Sequence, residues 1–330
     1  MSHMRPFELA RPRRLDAALD ALAAMPDSVP LAGGTDLLNR MKDGVTRPRR
    51  LVTLADLVEL QDFADSSDGL TLGAGVTLAR IVESPMIRHQ YPALWQAAAE
   101  IASPAIRNTA TLGGNLLQRP RCWYYRAGFG LLAQRDGQSL VRQGDNRYHA
   151  IFLTDSPALF VNPSSLAPAL VALDAEAEVV NAKGTRTVKV ADLYQVPKTE
   201  RDSEFTLQPG DILARVRVPK PGLNASYEIR WKRSADWPLV LASVHLKLDG
   251  ETIARTRVAL HGVAPIPWRS KTAEEVLVGR PATPETFNRA AQAAILGAQP
   301  LSRNAYKLTL VQTAVRRALL IAVGQPVPEV

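Results

Sequence analysis

This chain of 330 residues predicts an α+β fold of two or three domains. Three observations carry the expectation. Apolar residues recur at helical spacing in some segments and at strand spacing in others, so neither an all-α nor an all-β architecture fits. Adjacent glycines stand twice where a strand should meet a helix, at Gly33-Gly34 and at Gly113-Gly114. Beyond a linker at Pro219-Lys220-Pro221-Gly222, three strand patterns precede three helical ones, the order of a sheet with helices on one face.

The elements follow in order. The opening Met1-Ser2-His3-Met4 reads as an expression scar over 1–4, with Met4 the natural first residue. Leu15 to Met25 has helical spacing, and Ser28 to Leu31 is a short strand. A helix from Asp36 to Lys42, capped by Thr35 or Asp36, leads to a strand at Arg50 to Leu54 and completes a first unit, 5–60. A second unit, 61–220, opens with a strand at Leu70 to Leu72 and a corner at Gly73-Ala74-Gly75, then a helix from Thr77 to Glu83. That corner begins like a dinucleotide fingerprint, but Arg80 stands near the place of the third glycine, so it reads as a plain turn. An alanine-rich helix spans Tyr91 to Ile101. Residues 118–155 are aromatic and arginine-rich, then polar, without periodicity, an inserted loop long enough to have its own role. Ser164 caps a helix to Ala172, and Glu176 to Asn181 turns back into Thr185 to Val188. The last unit, 225–325, has strands at Ala225 to Lys232, Ala242 to Leu248 and Thr252 to Leu260, the last two joined by an Asp249-Gly250 hairpin. Its helices run from Ser270 to Val278, Pro284 to Leu296 and Asn304 to Ala322.

Composition excludes several classes of function. The single cysteine, Cys122, rules out an internal disulfide framework and any multi-cysteine metal site. The histidines His3, His89, His149, His245 and His261 have no metal-ligand spacing. No apolar run approaches the ~20 residues of a membrane span, and the start does not read as a signal peptide, so a reducing cytoplasm is the expected compartment. Net charge is +8, but arginines are scattered and not interleaved with aromatics. A basic subunit docking an acidic partner fits this better than a nucleic-acid binder.

The glycine loops carry the chemistry. Glycine lets backbone N–H groups approach an anion with no side chain in the way. Ala32-Gly33-Gly34-Thr35-Asp36 supplies such donors directly before a helix. Ile106-Arg107-Asn108-Thr109-Ala110-Thr111-Leu112-Gly113-Gly114-Asn115 carries more hydroxyl and amide groups than a turn needs. Together they suit the two phosphates of one dinucleotide. Neither contains a Walker lysine, which argues against ATP hydrolysis.

Taken with the C-terminal α+β unit, these motifs resemble the FAD-binding medium subunit of the molybdenum hydroxylases, the xanthine dehydrogenase, aldehyde oxidoreductase and carbon monoxide dehydrogenase family. The resemblance runs from about Pro6 to Val323. It implies a two-subdomain FAD-binding fold of the vanillyl-alcohol oxidase type, followed by a separate C-terminal domain. It implies that Val29, Pro30, Leu31, Ala32, Gly33, Gly34, Thr35, Asp36 and Leu37 wrap the FAD pyrophosphate. Asn108, Thr111, Gly114 and Asn115 would close the cradle, Leu213 would touch the flavin, and Arg230 or Lys232 would stand where the family has a flavin-side lysine. The implied role is electron transfer: from a molybdenum-cofactor large subunit through a [2Fe–2S] small subunit to FAD here and on to an external acceptor, in a heterotrimer or a dimer of heterotrimers. No catalytic residue and no metal ligand is expected on this chain.

Two departures from the family pattern matter. A subgroup carries four cysteines and a [4Fe–4S] cluster in the inserted loop; here only Cys122 stands, so the loop is expected without a cluster and Cys122 as a partly buried, unreactive thiol. The family's His-Pro-Ser-Asp-Leu is Asn162-Pro163-Ser164-Ser165-Leu166, so Ser165 replaces a flavin-side aspartate. Two rival readings remain open: a stand-alone flavoenzyme without a molybdenum partner, and an assembly subunit that no longer binds FAD.

Overall fold

The computed structural model describes residues 4–232 and 235–327. His3 and the first residues of the expected scar lie outside them. The N-terminal sheet is three-stranded and parallel, with Arg50–Thr53 between Glu8–Ala10 and Ser28–Leu31. The second sheet is antiparallel and five-stranded, in the spatial order Phe63–Ser66, Gly69–Gly73, Ile212–Pro219, Glu176–Asn181, Gly184–Lys189. Its central strand, Ile212–Pro219, arrives from the far end of the second unit and closes it. The third sheet is antiparallel, in the order Leu223–Arg230, Pro238–Asp249, Thr252–His261, Trp268–Arg269.

Local chemistry explains the helix boundaries. Thr77 accepts from the Arg80 amide and starts Leu78–Glu83; Ser84 does the same for Pro85–Gln90. The alanine-rich helix is shorter than expected, Pro92–Ala99, because Pro92 cannot continue a helix but starts one well. Before Leu166–Ala172 the cap is the Ser164 hydroxyl, which accepts from the Ala167 amide at 3.1 Å. Asp36 is the N-cap residue of Leu37–Lys42, as expected, but its carboxylate makes no capping hydrogen bond because it is engaged elsewhere. The inserted loop is ordered into short pieces: helices Trp123–Arg126 and Leu140–Gln143 and a hairpin of Gln134–Arg135 with Gln138–Ser139.

The C-terminal sheet is buried on both faces, not one. Val240, Ala242 and Val244 point to the core made with helices Lys271–Leu277, Pro284–Ala293 and Lys307–Ala322. The alternate residue Leu241, with Ala259 on the next strand, joins the core of the preceding unit, where Pro92–Ala99 and Leu166–Ala172 cover that face. Polar bonds fasten the same seam: Ser226 Oγ lies 2.7 Å from Ser243 Oγ and donates to the Ala93 carbonyl at 2.9 Å.

Lys307 ties the inserted loop to this body. Its ammonium is buried and donates to the carbonyls of Tyr148 (3.1 Å), His149 (2.9 Å) and Gly262 (2.5 Å). Lys307→Met leaves those acceptors without their donor, and the expected cost is about 2–4 kcal/mol. Urea unfolding measures it; an unchanged midpoint would remove Lys307 from the account of stability.

Candidate functional site

The two glycine loops touch each other. A Cβ on Gly33 would lie 1.9 Å from the Thr109 carbonyl oxygen, so only glycine allows the backbones to meet here. Gly34 takes φ +72°, the left-handed region that turns the strand into the following helix. The second loop is pinned to the five-stranded sheet: Gly113 N–H donates to the Ala74 carbonyl (2.8 Å) and Leu112 N–H to that of Val76 (2.8 Å).

The loops divide the work. Among the described residues, no backbone N–H from Ala32 to Leu37 donates to a protein acceptor. Backbone donors are rarely left without a partner, so this run is open to an acceptor from outside the protein. The second loop satisfies its own donors: Gly114 N–H goes to Thr111 Oγ1 (3.0 Å) and Asn115 N–H to the Thr111 carbonyl (2.8 Å). It shapes the wall, and the first loop presents the donors.

The cleft between them has a volume of about 610 Å³. Val29, Pro30, Ala32, Gly33, Gly34, Thr35, Asp36, Leu37, Asn108, Thr111, Gly114 and Leu213 all line it. Sequence reasoning missed Arg40, Gln61, Arg119, Phe205 and Leu207, which line it too. Arg40 follows Asp36 by one helical turn and was legible from that spacing. The others come from distant segments with no local signal.

Asp36 organises the cleft's basic edge. Its carboxylate accepts from Arg126 Nη2 (2.7 Å), Arg40 Nε (3.1 Å) and the Arg119 amide (3.0 Å), and Arg121 Nη2 stands 3.3 Å away. Burial alone would raise its pKa, but the Arg121 charge and the hydrogen bonds from Arg126 and Arg119 outweigh it and hold the carboxyl below its usual range. Arg119 also meets the buried Glu204 at 2.5 Å, where burial pushes the carboxyl up.

Five expected residues stand outside the cleft. Leu31 packs in a small core with Leu37 and Met41. Asn115 is buried beside it; its Oδ1 accepts from Ser164 Oγ at 2.7 Å and anchors the second loop to helix Leu166–Ala172. Ser165 is buried at the start of that helix. Arg230 and Lys232 line a separate open groove, where Arg230 pairs with Glu228 and Glu100. The whole strand Leu223–Arg230 belongs to the C-terminal sheet and its Ser226, Tyr227 and Glu228 line the same groove, where two carboxylates hold the Arg230 guanidinium.

Around Cys122 the inserted loop is apolar. Cys122 packs against two apolar clusters, one of Tyr125, Leu131, Leu132, Ala158 and Phe160 and one of Ala133, Val141 and Leu159. The thiol lies 3.2 Å from His149 Nε2, and burial raises its pKa, which disfavours a reactive thiolate.

Residues 5–221 match the family profile described as the FAD binding domain in molybdopterin dehydrogenase, and residues 225–322 match the CO dehydrogenase flavoprotein C-terminal domain. The chain belongs to the FAD-binding subunits of the molybdenum hydroxylase family. Among these subunits it is 31% identical over 320 residues to the aldehyde oxidoreductase FAD-binding subunit PaoB of Escherichia coli K12, covering 94% of this chain and 96% of the relative. It is 26% identical over 321 residues to the carbon monoxide dehydrogenase medium chain of Hydrogenophaga pseudoflava, covering 95% and 96%. The fold superposes on the quinoline 2-oxidoreductase structure from Pseudomonas putida 86 with a TM-score of 0.76 at 25% identity, covering 97% of this chain and 98% of that one. The FAD-binding-subunit fold therefore extends over nearly the whole chain.

Proposed function

We propose that this chain is the FAD-carrying electron-transfer subunit of a molybdenum hydroxylase. The observation that carries the reading is the unpartnered run of N–H groups from Ala32 to Leu37, opening into a glycine-walled cleft in a member of this family. The residues fit the cofactor: the first loop's residues, whose amides find no protein acceptor, line the cleft, and its volume suits a large ligand.

The chain's part is binding and orientation. The first loop's amides receive pyrophosphate oxygens, with the Thr35 and Thr111 hydroxyls beside them. Arg40 and Arg119 add positive potential at the cleft edge, while Asp36 fixes the geometry of the arginines around it. Leu207, Leu213 and Phe205 give an apolar end that excludes water from a ring system. FAD, when bound, supplies reversible electron exchange; no side chain here is required to act as acid, base or nucleophile.

The medium-chain names of relatives imply larger and smaller partner subunits. We assign the partners as a molybdenum-cofactor subunit and a [2Fe–2S] subunit in a heterotrimer or a dimer of heterotrimers. Co-expression with neighbouring gene products tests this. The expected result is a yellow complex with bands at about 370 and about 450 nm, containing molybdenum and iron. A yellow monomer that turns over alone would favour the stand-alone flavoenzyme, and a colourless protein that takes up no FAD would overturn the reading.

Ser165→Asp restores the family's carboxylate near the second loop. A negative charge beside a redox group disfavours electron uptake, so the flavin midpoint is expected to fall, or FAD affinity to change by at least about threefold. Redox and binding titrations check it; parental values in both would show that position 165 does not sense the flavin.

A further inference from the structure

One face of the C-terminal sheet changes character along its length. Leu241 and Ala259 pack into the core of the preceding unit. Further along the same two strands, alternation brings His245, Lys247, Arg255 and Arg257 to that face, with His245 opposite Arg257 and Lys247 opposite Arg255. There the face lines an open groove of about 990 Å³. Its other walls are Leu173 and Asp174, the linker Pro219-Lys220-Pro221-Gly222 and helix Lys271–Leu277. The groove shares no lining residue with the nucleotide cleft.

The groove's charges fall into two groups. Arg257 pairs with Asp174, Arg269 with Glu274 and Lys220 with Asp65, each at 2.7 Å. Lys247, Arg255 and Lys271 are exposed and make no ion pair among the described residues. Among the described lining residues the remaining carboxylate is Glu275, so the unanswered charge is cationic. These placements cost stability. Lys247 and Arg255 stand directly opposite each other, where like charges repel. Lys271 opens its helix, the end at which the helix dipole disfavours a cation. Burial, and then the Arg257 charge, hold the His245 imidazole below its ordinary range, and its Nε2 accepts from the Gly222 amide at 2.9 Å, so it forms a neutral wall. Repelling cations kept side by side in an open groove fit an anionic occupant that supplies the missing charge. A second copy of this chain, at a net charge of +8, is a poor source of it. The three cations are spread over two strands and a helix end, which suits several carboxylates on one extended segment. No Phe, Tyr or Trp is among the described lining residues, so the groove offers no platform on which nucleic-acid bases would stack.

We propose that this groove docks an extended acidic segment of a partner subunit, whose carboxylates pair with Lys247, Arg255 and Lys271. The proposal rests on the reading of this chain as one subunit of a complex.

Titration of the FAD-saturated full chain with fluorescein-labelled decaglutamate at low salt tests the groove. Saturable binding is expected. Arg255→Glu should weaken it at least about tenfold. The same change turns a repelling pair into an attractive one, so the urea midpoint should rise and a loss of binding does not reflect misfolding. Arg13→Glu, an equal charge reversal at an exposed position outside the groove, should weaken decaglutamate less than about twofold. Labelled decauridylate should bind at least about fivefold more weakly than decaglutamate. In the co-expressed complex, acetylation of Lys247 and Lys271 should be slower than in the isolated chain, while the exposed Lys183 reacts equally in both. Decaglutamate binding undiminished by Arg255→Glu, decauridylate binding as tightly as decaglutamate, or equal acetylation of Lys247 and Lys271 in complex and isolated chain overturns the proposal. If no complex forms, the subunit reading fails, and the peptide titration still decides whether the groove takes an acidic segment.

Discussion

Gly33→Ala is expected to weaken FAD binding by at least about thirtyfold, roughly 2 kcal/mol. The added methyl would sit 1.9 Å from the Thr109 carbonyl oxygen, a backbone atom that cannot swing aside. The two loops must part, and the N–H run from Ala32 onward then loses its register with the opposite wall. Gly114→Ala provides the graded comparison. Its Cβ would meet Thr111 Oγ1 at 3.0 Å and Ala32 Cβ at 3.9 Å, so a hydroxyl rotation relieves most of the contact. A loss below about fivefold is expected there. Flavin fluorescence titration of both variants, with melting curves as a control for folding, decides the matter. Equal affinities would mean that the loops' contact does not shape the site.

Asp36→Asn is expected to destabilise the protein by about 2–4 kcal/mol and to loosen the basic edge of the cleft. The neutral amide leaves Arg40, Arg121 and Arg126 crowded without their shared counter-charge. The pH dependence has a definite sign. The folded-state pKa of Asp36 lies below the ordinary carboxylate value, so its stabilisation is present at neutral pH and is lost as pH falls through that lowered pKa. The stabilities of parent and variant should therefore converge below about pH 4. His149 and His261, buried in their neutral forms, also reduce stability below about pH 6.5, but they do so equally in both proteins, so the difference isolates Asp36. Urea midpoints at a series of pH values measure it; a constant gap down to pH 3 would refute the assignment.

Much of the site was legible because adjacent glycines between a strand and a helix have few structural reasons to exist. The approach of Gly33 to Thr109 and the left-handed Gly34 are those reasons made visible. What the sequence hid was lost to irregularity or distance. Strand Ile212–Pro219 alternates cleanly at Arg215, Val216, Arg217 and Val218, but the register shift between Leu213 and Arg215 puts Leu213 and Ala214 both in the interior and blurs the period. Glu8–Ala10 and Trp268–Arg269 are too short to show any period. Arg119 and Phe205 reach the cleft only through tertiary packing. The one-sided C-terminal sheet was a misreading of Leu241 and Ala259, whose covering helices lie more than fifty residues upstream.

That two-faced sheet bears on how the protein is made. The family boundary between residues 221 and 225 marks a seam in ancestry but not in folding. Released alone, residues 225 onward would show water a face containing Leu241 and Ala259, and the N-terminal portion would uncover Pro92–Ala99 and Leu166–Ala172. A ribosome that has finished the nucleotide-binding portion has produced an intermediate still in need of shielding, and heating should dismantle the finished chain in one cooperative step.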